Sequence, residues 1–184
     1  MLPTLDARLA AAAELVRPGE PVADIGCDHG KLTAVLAASG KYPKVIGADL
    51  RPGPLAKAEQ TLEHAGCKDR AELRLGDGLS VLTENEVGSI VLAGVSAQTT
   101  WEILEKAPWV FTVGGPRIIM IPATRHDALR RWLWEHGFSF AADRPVQSVW
   151  PPNGSSRQKR SAERTGNAGK RDITSPANFM KKTA

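Results

Sequence analysis

The chain has 184 residues, 42% of them hydrophobic and 24% charged, which is one domain's length or one domain with an appendage, with enough apolar content for a core. No apolar run approaches the roughly eighteen residues that span a bilayer. The N-terminus lacks a secretory layout and the two cysteines, Cys27 and Cys67, make no disulfide framework, so a cytosolic address is expected.

The net charge of +4 is unevenly spread. Residues 151–184 hold eight of the 24 Lys and Arg but two of the 20 acids, so this tail carries +6 and the rest of the chain −2. The basic character belongs to the tail, and a nucleic-acid partner does not follow from the net charge of the body.

In chain order, residues 4–16 are rich in Ala and Leu and stop at Arg17-Pro18-Gly19, a helix with an end signal. Residues 21–26 form a short apolar strand that breaks into a glycine-bearing turn. Residues 31–39 read as a helix ended by Gly40, and residues 44–50 as a second strand closed by Arg51-Pro52-Gly53. Leu55, Ala58 and Leu62 lie at helical spacing within 54–65, with Gly66 at the end. Residues 71–75 alternate as a strand, and 89–93 and 117–121 are continuous apolar runs suited to strands buried on both faces. Helices are expected at 99–107 and 125–136, the second with Leu129, Trp132, Leu133 and His136 on one face. A further, mostly antiparallel strand is expected at 138–150. From Pro151 onward the composition is too polar to support a core, and 151–184 reads as a basic, disordered tail.

Strands and helices that alternate in this way predict an α/β protein with a mostly parallel sheet covered by helices on both faces. Ligands of such sheets sit beyond the carboxyl ends of the strands. Residues 26–30, Asp49, Asp77 and Gly94 then share one rim.

The turn Asp24-Ile25-Gly26-Cys27-Asp28-His29-Gly30 is the most informative segment. Glycines at 26 and 30 permit a tight turn and close approach of a ligand. The dinucleotide pattern G-x-G-x-x-G is absent, and Asp24 and Asp28 would set negative charge beside any phosphate. A nucleoside cofactor that lacks phosphates and carries an ammonium and a sulfonium suits this turn, a description that S-adenosyl-L-methionine meets. Asp49, ending the second strand, is placed to accept both hydroxyls of a ribose. Asp77, between Gly76 and Gly78, can accept a hydrogen bond from an adenine amino group. The competing possibility is that Asp28 and Asp77 simply cap the helices that follow them.

Several segments together resemble the bacterial tRNA (adenine(22)-N(1))-methyltransferases: Arg8-Leu9, the run from Val22 through Asp24-Ile25-Gly26-Cys27-Asp28-His29, Gly53-Pro54, Arg74-Leu75-Gly76-Asp77-Gly78-Leu79, Ala93-Gly94, and Leu129-Arg130-Arg131-Trp132-Leu133. The resemblance runs from about residue 5 to 150. It implies a Rossmann-like class I methyltransferase fold, S-adenosylmethionine as cofactor and tRNA as partner. By it, Asp24, Gly26 and His29 line the cofactor, Asp49 takes the ribose and Asp77 the adenine; with the rest of the rim, the expected cofactor-binding set is Arg8, Asp24, Gly26, Cys27, Asp28, His29, Gly30, Asp49, Leu50, Gly76, Asp77, Gly78, Ala93 and Gly94. The sequence departs from the family in three places: from Pro151 onward it resembles neither the strand that usually closes the family's sheet nor the helical C-terminal extension, so the fold is expected to lack the last strand, and two rim segments differ. Val95-Ser96-Ala97 stands where the family has M-G-G after A-G, and Ile121-Pro122-Ala123 where it has Q-P-N.

Adenine N1 has a lone pair at neutral pH, so no strong base is required, and a carboxylate can stabilise the cationic product. Asp28 and Asp6 are the candidate catalytic acids. Two other readings stand beside this one: the same cofactor with a small-molecule or different RNA acceptor, and a cofactor-binding homologue without turnover. Cys27 as a nucleophile, or a metal site built from Cys27, His29, His64 and Cys67, fits the spacing poorly, and neither a metal nor a membrane is expected. Trp134 falls off the apolar helical face and is a candidate for stacking on bases, as are Trp101, Trp109 and Trp150. Arg125, Arg130, Arg131 and Arg144 are candidates for an RNA-facing edge.

Overall fold

The structure, a computed structural model, describes residues 1–143 and 145–146. Five parallel strands form one sheet: β1 (Val22–Ile25), β2 (Val45–Asp49), β3 (Glu72–Leu75), β4 (Ser89–Ala93) and β5 (Arg117–Ile121). Their order is β3-β2-β1-β4-β5, so β1 lies at the centre and the order reverses beside it. Asp24 pairs in register with Gly47 and Val91, and Asp49 with Leu75, which brings the strand ends to one rim. This is the parallel α/β arrangement expected from the alternating pattern and the Rossmann-like fold that the resemblance implies.

The central strands are buried at nearly every position, β1 and β2 fully and β4 in four of five, as continuous apolar runs require when helices cover both faces. Five helices do so: α1 (Ala7–Leu15), α2 (Lys31–Ser39), α3 (Pro52–Ala65), α4 (Ala97–Glu105) and α5 (His126–Glu135). Side-chain alternation divides the core in two. Val22, Val45, Val91 and Ile119 pack with Leu32, Leu36 and Leu62 of α2 and α3. Ala23, Ile25, Ile46, Ile90 and Leu92 pack with Ala97 and Leu104 of α4 and with Leu129 and Leu133 of α5. Full burial of a Leu or Ile contributes about 1.5–3 kcal/mol, so these two layers dominate stability.

The starts of α3 and α4 lie earlier than the sequence-based ones because of the residues at their caps. α3 starts at Pro52, whose fixed φ suits a first helical position, two residues before Pro54. α4 starts at Ala97 because the Ser96 hydroxyl accepts from the Thr99 N–H. The expected strand at 138–150 is corrected for its described part, which is irregular. Gly137 has φ 80° and turns the chain, and Phe138 folds back onto Phe111 with ring centroids 4.9 Å apart. Arg130 then grips Asp143 through two 2.9 Å hydrogen bonds. Trp150, Arg144 and the whole tail lie outside the described residues.

No helix among the described residues is long and apolar enough to cross a membrane. Trp101, Trp109 and Trp132 pack partly buried against the core, whereas Trp134 is 75% exposed.

Candidate functional site

The turn after β1 begins with two backbone bonds to the neighbouring strand: the Gly26 and Cys27 N–H groups both donate to the Ala48 carbonyl, at 2.8 and 2.9 Å. Asp28 follows in the left-handed region, at φ 50°, a conformation that costs a non-glycine residue roughly 1 kcal/mol and clusters at functional turns. Gly30 closes the turn as the N-cap of α2. A side chain here is excluded twice over, because φ is 67° and a Cβ would stand 2.7 Å from the Cβ of Ala58. The glycine therefore lets α3 approach the turn, and it leaves α2 with no side chain at its own cap position.

Asp24 supplies what Gly30 cannot. It is 3% exposed on β1, and its Oδ2 accepts from Thr33 Oγ1 at 2.7 Å in the first turn of α2, with the Thr33 N–H donating as well. Its negative end faces the positive end of the helix. Burial pushes the Asp24 carboxyl up to about 6; the Thr33 bonds oppose this and the nearby Asp49 charge adds to it. Asp24 thus lies beneath the turn and braces it.

Asp49 ties the turn to the next loop. Its Oδ2 accepts from the Asp28 N–H at 3.2 Å and its Oδ1 from the Arg51 N–H at 3.0 Å, and the residue is 7% exposed. Both oxygens are oriented by backbone donors and retain lone pairs, since each carboxylate oxygen accepts more than one bond. Leu50, the next residue, is 63% exposed, an apolar surface beside a polar anchor. Gly76 N–H donates to the Asp49 carbonyl at 3.0 Å, which sets the end of β3 beside that of β2.

Neither acid that might have served as a cap does so. Asp77 precedes the 3₁₀ turn Gly78–Val81 without a side-chain bond to it, and its Oδ2 meets Lys106 Nζ at 2.9 Å. Asp28 points its Oδ2 to Nδ1 of His29 at 2.9 Å, with both side chains about half exposed. Both carboxylates are therefore free of helix-capping duty.

On the other side of β1, Ala93 ends β4 and Gly94, at φ 80°, donates to the Ile121 carbonyl at 2.9 Å. Ala123 N–H donates to the Val95 carbonyl at 2.8 Å, so the two segments that depart from the family pattern are joined to each other. Asp6 is the N-cap of α1: its Oδ1 accepts from the Arg8 and Leu9 N–H groups at 2.9 Å and its Oδ2 from Arg8 Nη2 at 3.0 Å. These bonds hold its carboxyl below the usual range, with the Leu9 N–H contributing most. The C-terminal end of α1 is pinned at the starts of β4 and β5, where Arg117 Nη1 donates to the Leu15 carbonyl and Arg17 N–H to Ser89 Oγ. Asp6 and Arg8 stand at the opposite, N-terminal end of α1.

Cys27 and Cys67 are buried free thiols. Burial, followed by the Asp24 and Asp49 charges, pushes the Cys27 thiol up, the opposite of what a nucleophile needs. No group of three or more His, Cys, Asp or Glu among the described residues is arranged to hold a metal ion. Thr33 and Lys106 were missed by sequence reasoning, since each meets its acid only across the fold.

Residues 5–149 match the family model of a methyltransferase domain. A tRNA (adenine(22)-N(1))-methyltransferase from Bacillus subtilis (strain 168) is 30% identical over 135 residues, covering 73% of this chain and 56% of that protein. Among solved structures, the B. subtilis m1A22 tRNA methyltransferase aligns at 29% identity and a TM-score of 0.70, over 77% of this chain and 60% of that one. A Streptococcus pneumoniae protein crystallised with S-adenosyl-L-methionine aligns at 31% identity and 0.69, over 76% and 65%. The chain spans less than two thirds of the length of each of these relatives. Matched along nearly all of its described length by that model and similar to these tRNA methyltransferases, the chain belongs to the methyltransferase-domain family.

Proposed function

We propose that this protein is an S-adenosylmethionine-dependent methyltransferase that methylates N1 of an adenine in tRNA. The observation that carries the reading is the acidic rim: Asp49, nearly buried with both oxygens aimed by backbone N–H groups, beside a glycine turn, and, just beyond the end of β3, the half-exposed carboxylate of Asp77. These acceptors suit ribose hydroxyls and an amino group and disfavour phosphate. The B. subtilis relative, at 30% identity, supplies the choice of acceptor.

In this proposal Asp49 accepts from the ribose hydroxyls, Asp77 from the adenine amino group, and Leu50 offers an apolar wall to the base. Gly26, Cys27, Ala93 and Gly94 give backbone-close approach around it, Gly30, Gly76 and Gly78 let Ala58, Val81 and Ile103 pack tightly behind its turns, and Asp24 holds the first turn in place from below. The bound cofactor supplies a methyl group on a sulfonium, which needs only an aligned lone pair to accept it. Positioning then accounts for most of the rate. The adenine becomes cationic on methylation, and a carboxylate aimed at that charge stabilises the transition state. Asp28, half exposed and held by His29, is the acid we assign to this task. Asp6, the second candidate acid, is already committed with Arg8 to the α1 cap, and we assign it and Arg8 only to the border of the site.

Residues 1–150 constitute the methyltransferase domain in this reading, residues 151–184 a basic arm, and tRNA as substrate implies work in the cytoplasm. The test is transfer of a tritiated methyl group from the cofactor to unmodified total tRNA, with the product nucleoside mapped. Label in 1-methyladenosine is expected. Cofactor binding with no transfer to any RNA would overturn the proposal in favour of a homologue without turnover.

A further inference from the structure

One charged contact at the rim takes no part in the chemistry above. Asp77 Oδ2 lies 2.9 Å from Nζ of Lys106, 29 residues away on the C-cap of α4. The contact is built by packing. Gly78, at φ 54°, faces α4 so closely that a Cβ there would stand 3.0 Å from Cγ1 of Ile103. Ile103 is 8% exposed against this turn, and Lys106 follows it by three residues, the spacing that puts two side chains on one helical face. The glycine and the isoleucine therefore dock α4 against the turn and deliver the lysine to the aspartate. Asp77, Gly78, Leu79, Ile103, Lys106 and Ala107 line a cavity of about 140 Å³. Its walls at Leu79, Ile103 and Ala107 are buried and apolar, and its charged groups are this one pair.

We propose that Lys106 is a positioning residue for base recognition: it holds Oδ2 of Asp77, so that Oδ1 is presented as the acceptor for the exocyclic amino group of the cofactor's adenine. The inference rests on the assignment of Asp77 to that amino group. Among the described residues no hydrogen bond engages Oδ1, and a carboxylate that accepts a lysine on one oxygen keeps lone pairs on the other. A carboxylate binds an amino donor more strongly than a neutral acceptor does, and it excludes a base that presents a carbonyl there.

The test is titration calorimetry of the full chain with S-adenosylhomocysteine and with its hypoxanthine counterpart, in which oxygen replaces the amino group. Wild type, Lys106→Met, Lys106→Arg, Asp77→Ala and the double variant Asp77→Ala with Lys106→Met are compared. Because the readout is the ratio of two affinities, partial unfolding of a variant does not alter it. Wild type is expected to prefer the adenine compound about tenfold or more. Lys106→Met should cut that preference about two- to fivefold, within the range of an exposed ion pair, and Lys106→Arg should keep most of it. Asp77→Ala should abolish the preference, and adding Lys106→Met should then change nothing. If Lys106→Met weakens both ligands equally, keeps the full preference, or still acts when Asp77 is gone, the positioning role is overturned while the cofactor assignment stands. If Asp77→Ala leaves the preference intact, or wild type binds neither compound, the placement of the base falls, and this inference with it.

Discussion

Replacing Asp24 by asparagine tests the buried brace beneath the turn. The carboxyl is 3% exposed and its titration point is raised from 3.8 to about 6, chiefly by burial. Between those values the folded protein retains a proton that the unfolded chain has released. Stability therefore falls as pH rises through this window and levels off above about pH 6. Two units at 1.36 kcal/mol each give about 3 kcal/mol in all, of which about 2 kcal/mol lies between pH 4 and pH 7. The asparagine amide does not titrate, and its carbonyl oxygen can still accept from Thr33. Urea unfolding of both proteins from pH 4 to pH 7.5 isolates the effect, because only the change in their stability difference matters, not its absolute size. The variant should gain about 2 kcal/mol on the wild type across that range and run parallel to it above. Parallel curves throughout would refute a protonation-linked Asp24. A cation bound above the turn should pull the wild-type titration point back down, so saturating S-adenosylmethionine should flatten the slope.

Asp49→Ala removes the acceptor proposed for the ribose and both of its loop-tying bonds, and S-adenosylmethionine affinity measured by calorimetry should fall at least about tenfold. Unchanged affinity would end the assignment. Gly30→Ala places a methyl group within 2.7 Å of Ala58 at a φ of 67°, and should lower stability by about 2–4 kcal/mol in chemical denaturation, with cofactor binding weakened alongside. Glu86 accepts from both Arg74 Nη groups, at 2.6 and 2.9 Å, and from Lys44 at 2.9 Å, and Arg74 above all holds its carboxyl well below the usual range. A lowered carboxylate contributes stability that is present above its ordinary titration point near 4.5 and is lost as the pH falls, so Glu86→Gln should flatten the acid side of the stability curve. Deleting residues 151–184 should leave cofactor affinity within about twofold while RNA binding loses its steep salt dependence. Loss of folding in the truncated chain would place the domain boundary elsewhere.

Most of the fold was legible because local chemistry and global packing agree here. The strands of the core, at 22–25, 45–49, 89–93 and 117–121, are short apolar runs bounded by glycine, proline or aspartate, and a run of that kind has few other ways to be buried. The segment 138–146 was not legible, because Phe138 and Phe140 suit a strand as well as a surface loop. What decides between them is the Gly137 turn and the Phe111 ring that receives Phe138. The site was legible in part. Asp24, Asp28, Asp49 and Asp77 stand out by their places at strand ends, but what each carboxylate meets is not written locally.

By itself, then, the sequence determined which residues gather at the rim. Alternating strands and helices force a parallel sheet, and a parallel sheet brings its glycine turns and strand-end acids to one edge. Only the tertiary structure decided how four chemically identical carboxylates divide. Asp24 is sealed under α2 against Thr33, and Asp49 is aimed by two backbone N–H groups. Asp28 is left in the open with His29, and Asp77 is held by a lysine from the end of α4. The physical reason is that burial, helix ends and ion-pair partners act over a few ångströms, between residues that the chain can hold as many as 29 positions apart.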